Sequence, residues 1–273
     1  MFGRMLPQSV LVPRTWNLVA NAYAAEIAPT FSSFAGDALA FARVRSGERL
    51  LDVATGPGTV ALAAAQAGAR VSAIDFSPQM IAELRARFER QGVAEIDARV
   101  GDATALPYEE GAFDVAVSMF ALNLIADRSA AFREIHRVLR RGGRAVVGTP
   151  GSWRNEPAFA DIRAIVQRAL PELDLDFDFP LAEPAELVRE MAAAGLGELE
   201  TKTVVRSLAF PSIAVAWGTA SRTGAPIVAL RDAMNQERWS RASEAIVRDL
   251  ERRFGSGPQS IELSVNIARG RKV

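Results

Sequence analysis

The sequence predicts an α/β fold, a mostly parallel sheet with helices on both faces. Three observations carry that expectation. Strand-like and helix-like stretches alternate with short joints from Arg49 to Gly148, the pattern of repeated βα units. Within the helical stretches, apolar residues recur at spacings of three and four, which puts one greasy stripe on each helix. Near the C-terminus two stretches alternate apolar and polar residues, as paired antiparallel strands do.

In chain order, residues 1–14 end in Val12-Pro13-Arg14, show no clear period and read as a loose arm. From Thr15 to Arg43 the pattern is helical, with Trp16, Val19, Ala20, Tyr23 and Ile27 on one side. Pro29 interrupts it, so a second helix is expected over Ser33–Arg43. Arg49–Ala54 reads as a strand, Gly58–Ala67 as a helix and Arg70–Asp75 as a strand. Ser77 and Pro78 suit the cap and first turn of the next helix, which turns Ile81, Leu84 and Phe88 inward. Ile96–Gly101 and Phe113–Met119 read as strands, and Ser129–Arg140 as a helix ended by Gly142-Gly143. Arg144–Gly148 is a fifth strand. Beyond Pro150, residues 156–170 and 184–194 look helical and Glu198–Phe210 alternates as a long strand. Residues 212–254 read as two or three helices broken near Gly224 and Pro226. Gln259–Arg269 is expected to close the sheet antiparallel to the 198–210 strand.

Composition narrows the function. A chain of 273 residues can bury a good core, and 49% apolar with 23% charged residues is an ordinary globular balance. Lys plus Arg equals Asp plus Glu at 32 each, which argues against a nucleic-acid substrate, since such binders carry a basic excess. No apolar run approaches the roughly 20 residues of a membrane span. Absence of cysteine removes disulfides, thiolate catalysis and cysteine-ligated metals, and a cytoplasmic enzyme is expected.

The chemistry concentrates at strand ends. The loop from Asp52 to Gly58 joins the first strand to the first βα helix, and Gly56 and Gly58 allow a tight turn and close backbone approach to a ligand. With Ala61 it also satisfies the looser form of a dinucleotide-binding loop, so its neighbours must decide. Asp52 would repel a pyrophosphate but suits an α-ammonium, directly or through the loop backbone. Asp75 ends the second strand, where a carboxylate can accept from both hydroxyls of a ribose. Past the third strand, Asp102 and the Ala103 amide can read the amino edge of adenine. Each acid taken singly could be structural: Asp52 satisfied by loop amides, Asp75 a helix cap, Asp102 a turn residue. Their places at successive strand ends, where open α/β sheets bind ligands, favour a nucleoside site.

These residues resemble the class I S-adenosylmethionine-dependent methyltransferases, most closely the ubiquinone and menaquinone C-methyltransferase branch and related small-molecule enzymes. The likeness runs through Leu50-Leu51-Asp52-Val53-Ala54-Thr55-Gly56-Pro57-Gly58 and Asp75-Phe76-Ser77-Pro78-Gln79-Met80. It continues through Gly101 to Tyr108, Phe113-Asp114, Phe120-Ala121-Leu122-Asn123 and Arg137 to Arg144. The resemblance implies a Rossmann-like, seven-stranded sheet whose last strand is antiparallel, with S-adenosyl-L-methionine as cofactor. It implies a cofactor site of Asp52, Ala54, Thr55, Gly56, Pro57, Gly58, Asp75, Phe76, Met80, Asp102, Ala103, Met119 and Phe120. Ala54 departs from the glycine usual in the wider family, and Asn123 from the arginine usual in the quinone enzymes, which counts against a quinone acceptor. Outside 50–150 the likeness is architectural only.

Methyl transfer from a sulfonium is an in-line displacement, so the protein mainly aligns the reactants and excludes water. The sole histidine, His136, is expected on its helix away from the cofactor mouth, in a structural role. Tyr23, in the N-terminal helices that cover the site in such enzymes, is the candidate for contact with cofactor or acceptor. Asp174, Asp176 and Asp178 read as a solvated face, and with no neighbouring histidine set no metal site is expected. Trp153, Trp217 and Trp239 could stack on a flat acceptor, but packing is the plainer role. The reading is one methyltransferase domain over 1–273, with a cofactor core at 46–150 and an acceptor lid from 1–45 and 211–256. The expected partner is a small-molecule methyl acceptor. A non-catalytic binding protein of the same fold, or an NAD-type oxidoreductase, is the alternative.

Overall fold

The computed structural model describes residues 8–93, 96–152, 157–173, 175 and 179–273. Its sheet has seven strands: β1 (Arg49–Val53), β2 (Arg70–Asp75), β3 (Asp97–Val100), β4 (Phe113–Met119), β5 (Leu139–Pro150), β6 (Leu196–Phe210) and β7 (Gln259–Lys272). Their spatial order is β3-β2-β1-β4-β5-β7-β6. β1 to β5 pair in parallel, and β7 runs antiparallel to both β5 and β6. The order reverses between β1 and β4, so this sheet has its topological switch point at their C-terminal ends.

Among the described residues ten α-helices cross over or flank it: α1 (Pro13–Ala22), α2 (Ser32–Ala42), α3 (Thr59–Gln66), α4 (Pro78–Arg90), α5 (Arg128–Val138), α6 (Pro157–Ala169), α7 (Pro184–Ala193), α8 (Ile213–Thr223), α9 (Ala225–Ala233) and α10 (Gln236–Phe254). Strand residues alternate between two buried layers because successive side chains point to opposite faces. Leu51, Val53, Ile74 and Ala116 pack with Phe132, Ile135 and Val138 of α5 and Leu187 and Met191 of α7. Leu50, Val115, Val117 and Val146 face Phe34, Ala38 and Ala42 of α2 and Val60 and Ala64 of α3. Phe132 is wholly buried, and truncating such a ring to alanine costs about 3–5 kcal/mol. A separate cluster joins α6, α8 and α10 around Trp217 and Trp239, whose rings stack at 6.2 Å. Among the described residues no helix is long and apolar enough to cross a membrane.

Four local expectations are corrected. The arm is ordered from Gln8: a 3₁₀ turn spans Gln8–Leu11, Val10 is buried, and the Trp16 indole donates to the Val10 carbonyl at 2.9 Å. Pro13 sits in the first turn of α1, so the helix starts earlier than periodicity suggested. The helical run is not continuous to Ile27, because the chain widens into a π turn at Tyr23–Ile27, before Pro29. Finally, Gly142-Gly143 does not end a helix. α5 stops at Val138, Leu139 already pairs with Phe113, and Gly142, at φ 72°, lies in a bulge before Arg144 pairs with Val115.

Candidate functional site

The C-terminal ends of β1, β2 and β4 open into a cavity of about 360 Å³. Its floor is the Asp52–Gly58 loop. Ala54, Gly56 and Gly58 all hold positive φ, at 54°, 54° and 80°. A left-handed alanine is strained relative to glycine, which accounts physically for the glycine usual at this position in the resembling family. Gly58 does not line the cavity; a Cβ there would lie 2.7 Å from Leu84 Cγ, so its lack of a side chain lets α4 approach the loop.

The three acids stand where the strands end. Asp52 is 2% exposed, and its Oδ2 accepts from Thr55 Oγ1 at 2.6 Å and from the Ala61 amide at 2.9 Å. Burial raises its carboxyl to about 7, against the lowering effect of those two bonds and with a further push from the charge of Asp75. Asp75 is 7% exposed; its Oδ2 accepts from the Gly56 amide at 2.8 Å and its Oδ1 from the Ser77 amide at 2.9 Å. Burial again dominates and raises it to about 6. Asp102 is exposed, with Oδ1 accepting from the Thr104 amide at 2.8 Å. Both bland roles are thus real, a loop brace at Asp52 and a turn at Asp102, yet all three acids line the same cavity. Beside them, Ser77 caps α4 through the Met80 amide and donates to Asn17 of α1 at 2.7 Å, tying the cover to the floor.

Of the other expected residues, Tyr23, Ala54, Thr55, Gly56, Pro57, Phe76, Met80, Ala103, Met119 and Phe120 also line it. Phe120 follows β4 at φ 61°, a conformation that costs about 1–2 kcal/mol and recurs at functional sites. Its ring stacks on Phe31 at 4.3 Å, and Phe31 meets Tyr23 edge-on, as Tyr23 meets Trp16. Burial, then the charge of Asp75, raises the Tyr23 phenol far above its usual range. A group so shifted keeps its proton and acts as a donor.

Val10, Leu11, Trp16 and Phe31, within the segment 1–45 expected as a lid, complete much of the wall together with Leu124, Ile125 and Asp127, which no motif marks. Asp127 is recognisable as the cap of α5, accepting from the Ala130 amide. The others are apolar residues outside any motif. No residue of 211–256 lines the cavity; α8 and α9 instead pack behind the N-terminal segment, with Val228 against Val19, Ala20 and Met80. Trp217 and Trp239 lie in that backing layer, the Trp217 indole donating to Ser243 at 2.8 Å. His136 also stands apart: a Cβ on Gly195 would lie 3.3 Å from its Nε2, and burial, then the charge of Lys272, lowers its basicity. Trp153, Asp174, Asp176 and Asp178 lie outside the described residues.

Residues 51–147 match the family described as methyltransferase domain. An uncharacterised protein of Mycobacterium tuberculosis is 33% identical over 130 residues, 48% of this chain and 46% of its own length. A demethylmenaquinone methyltransferase of Thermus thermophilus is 38% identical over 136 residues, 45% of this chain and 61% of the relative. The chain thus spans about half the length of the curated relatives it matches. The whole fold is shared with the [4+2]-cyclase SpnF, at TM-score 0.64 and 20% identity over 99% of this chain and 98% of that one. It is shared also with a geranyl diphosphate methyltransferase solved with S-adenosylmethionine, at TM-score 0.54 and 21% identity over 91% and 88%.

Proposed function

We propose that the protein binds S-adenosyl-L-methionine in this cavity and transfers its methyl group to a small-molecule acceptor. The observation that carries the reading is the convergence of Asp52, Asp75 and Asp102, from three strand ends, on one cavity floored by a glycine loop. Asp75 would hold the ribose hydroxyls, Asp102 and Ala103 the adenine edge, and Asp52 would brace the loop facing the methionine ammonium. The cofactor supplies an electrophilic methyl on sulfur. The chain's own contribution is alignment and exclusion of water by the aromatic cover of Trp16, Tyr23, Phe31 and Phe120. Tyr23, held protonated by burial, is placed to donate a hydrogen bond to cofactor or acceptor.

The charge of the described lining favours a small acceptor without a phosphate near its reacting atom. Every ionisable group of known charge on the described lining is an acid, and no Lys, Arg or His faces the cavity among the described residues. The neighbouring SpnF is a cyclase, so the shared fold does not by itself choose the reaction, and binding and transfer are measured separately. Calorimetric titration with S-adenosylhomocysteine and with NADH is the first arm. The expected result is saturable binding of the former alone; absence of S-adenosylhomocysteine binding at millimolar concentration overturns the reading. The second arm follows labelled methyl from S-adenosylmethionine into a panel of amines, phenols and activated carbon acids. Tight cofactor binding with no transfer to any class would favour a binding protein of this fold.

A further inference from the structure

We propose that Glu26 is a positioning residue for Tyr23, clamped by Arg222 and Thr219 of a helix that lies behind the cavity wall. The π turn is the starting point. The Ala28 amide donates to the Tyr23 carbonyl at 3.0 Å, a bond spanning five residues where an α-helix would span four. Such a turn is costly in regular helix and recurs where a side chain must be re-aimed. Here it presents Tyr23 to the cavity at one end and leads to Phe31, another wall residue, at the other.

Between them Glu26 leaves the wall and reaches α8. Its Oε1 accepts from Arg222 Nε at 2.7 Å, and its Oε2 from Arg222 Nη2 at 2.8 Å and Thr219 Oγ1 at 3.0 Å. Two parallel bonds from a planar guanidinium fix direction as well as distance, and the Arg222 bond heads the causes that hold the Glu26 carboxyl below its usual range. The receiving helix is itself anchored. Trp217 is buried and bonded to Ser243 of α10, and Arg231 of α9 donates to the Ser221 carbonyl at 3.0 Å. The clamp therefore transmits the rigidity of the α8–α10 cluster to the one turn that carries the phenol. It also gives residues 211–256 a role in the site without lining it.

Such a partly exposed pair contributes little to global stability, so its loss reads locally. The ligand arm rests on the cofactor reading; the exchange arm does not. Glu26→Gln and Arg222→Gln are each expected to speed S-adenosylhomocysteine dissociation by about two- to fivefold, with an unchanged melting temperature. The charge swap Glu26→Arg with Arg222→Glu should recover most of that loss. In a Tyr23→Ala background, Glu26→Gln should add nothing, the signature of action through Tyr23. An unchanged dissociation rate in Glu26→Gln, or the same increase in the Tyr23→Ala background, overturns the proposal. If the native protein does not bind S-adenosylhomocysteine, the cofactor reading has failed and hydrogen exchange of the free protein decides the clamp. Faster exchange of the Ala28 amide in Glu26→Gln supports it; equal protection refutes it.

Discussion

The two halves of the cavity are built on different length scales. On the floor most partners are near in sequence: Asp52 meets Thr55 and Ala61, Asp75 meets Ser77 and, 19 residues away, Gly56, and Asp102 meets Thr104. On the cover, Asn17 meets Ser77 and Glu26 meets Thr219 and Arg222, across 60, 193 and 196 residues. A floor made of local turns is set wherever the strands end. A cover made of distant contacts exists only once the whole chain has folded, and small pushes can shift it. Ligand affinity should therefore respond strongly to floor mutations and more weakly to those in the cover.

The largest expected effect is at Asp75. Losing charge-assisted bonds costs about 1.5–3 kcal/mol, so Asp75→Ala should weaken S-adenosylhomocysteine roughly ten- to a hundredfold by calorimetry. Because Asp75 also holds the Gly56 and Ser77 amides, Asp75→Asn serves as the milder companion. Full affinity in Asp75→Ala would move the binding determinant off the floor.

A second, smaller effect is pH dependence. Asp52 and Asp75 are raised to about 7 and about 6, so the folded protein holds these protons more tightly than the unfolded chain does. Their contribution to the stability of the free protein is full below about pH 4 and is lost as pH rises through about 6 to 7. Binding of the cationic cofactor runs the other way, since the ionised acids attract its charge and accept more strongly from its donors. Affinity for S-adenosylmethionine should rise about tenfold between pH 5.5 and 8, with proton release visible in buffers of different ionisation enthalpy. A flat profile would mean that neither acid faces the ligand.

What the sequence disclosed follows the same division. The succession of strands and helices, the acids at strand ends and the capped start of α4 were legible because each rests on residues a few positions apart. The wall formed by Val10, Leu11, Phe31 and Leu124 was not, since an apolar residue carries no mark saying whether it meets core or cavity. Nor was the π turn at Tyr23, whose period differs from an α-helix by one residue in a single turn. The glycine pair at 142–143 misled because glycine serves helix ends and bulges alike. Trp217 and Trp239 were open to either use, and only the contact between α8 and α10 assigns them to packing.

The smallest effect is expected at His136, where the comparison is sharpened by a residue belonging to neither half. A histidine base would be worth about a hundred- to ten-thousandfold in rate if one operated. His136 has a basicity lowered by burial and by Lys272, which would suit a neutral base at pH 7. Its position denies it that use: it neighbours Gly195, just before β6, and contributes nothing to the cavity lining. The Arg137 beside it on α5 is spent on Glu134 and on the carbonyls of Leu106 and Tyr108, so that part of the helix serves as scaffold. His136→Gln keeps approximate size and one donor, and turnover with the acceptor found by screening should stay within about threefold of wild type. A thermal melt and an S-adenosylhomocysteine titration on the same sample separate chemistry from folding and binding. A loss beyond about a hundredfold, with melt and titration unchanged, would place a base outside the cavity as drawn and require the site to close differently around its acceptor.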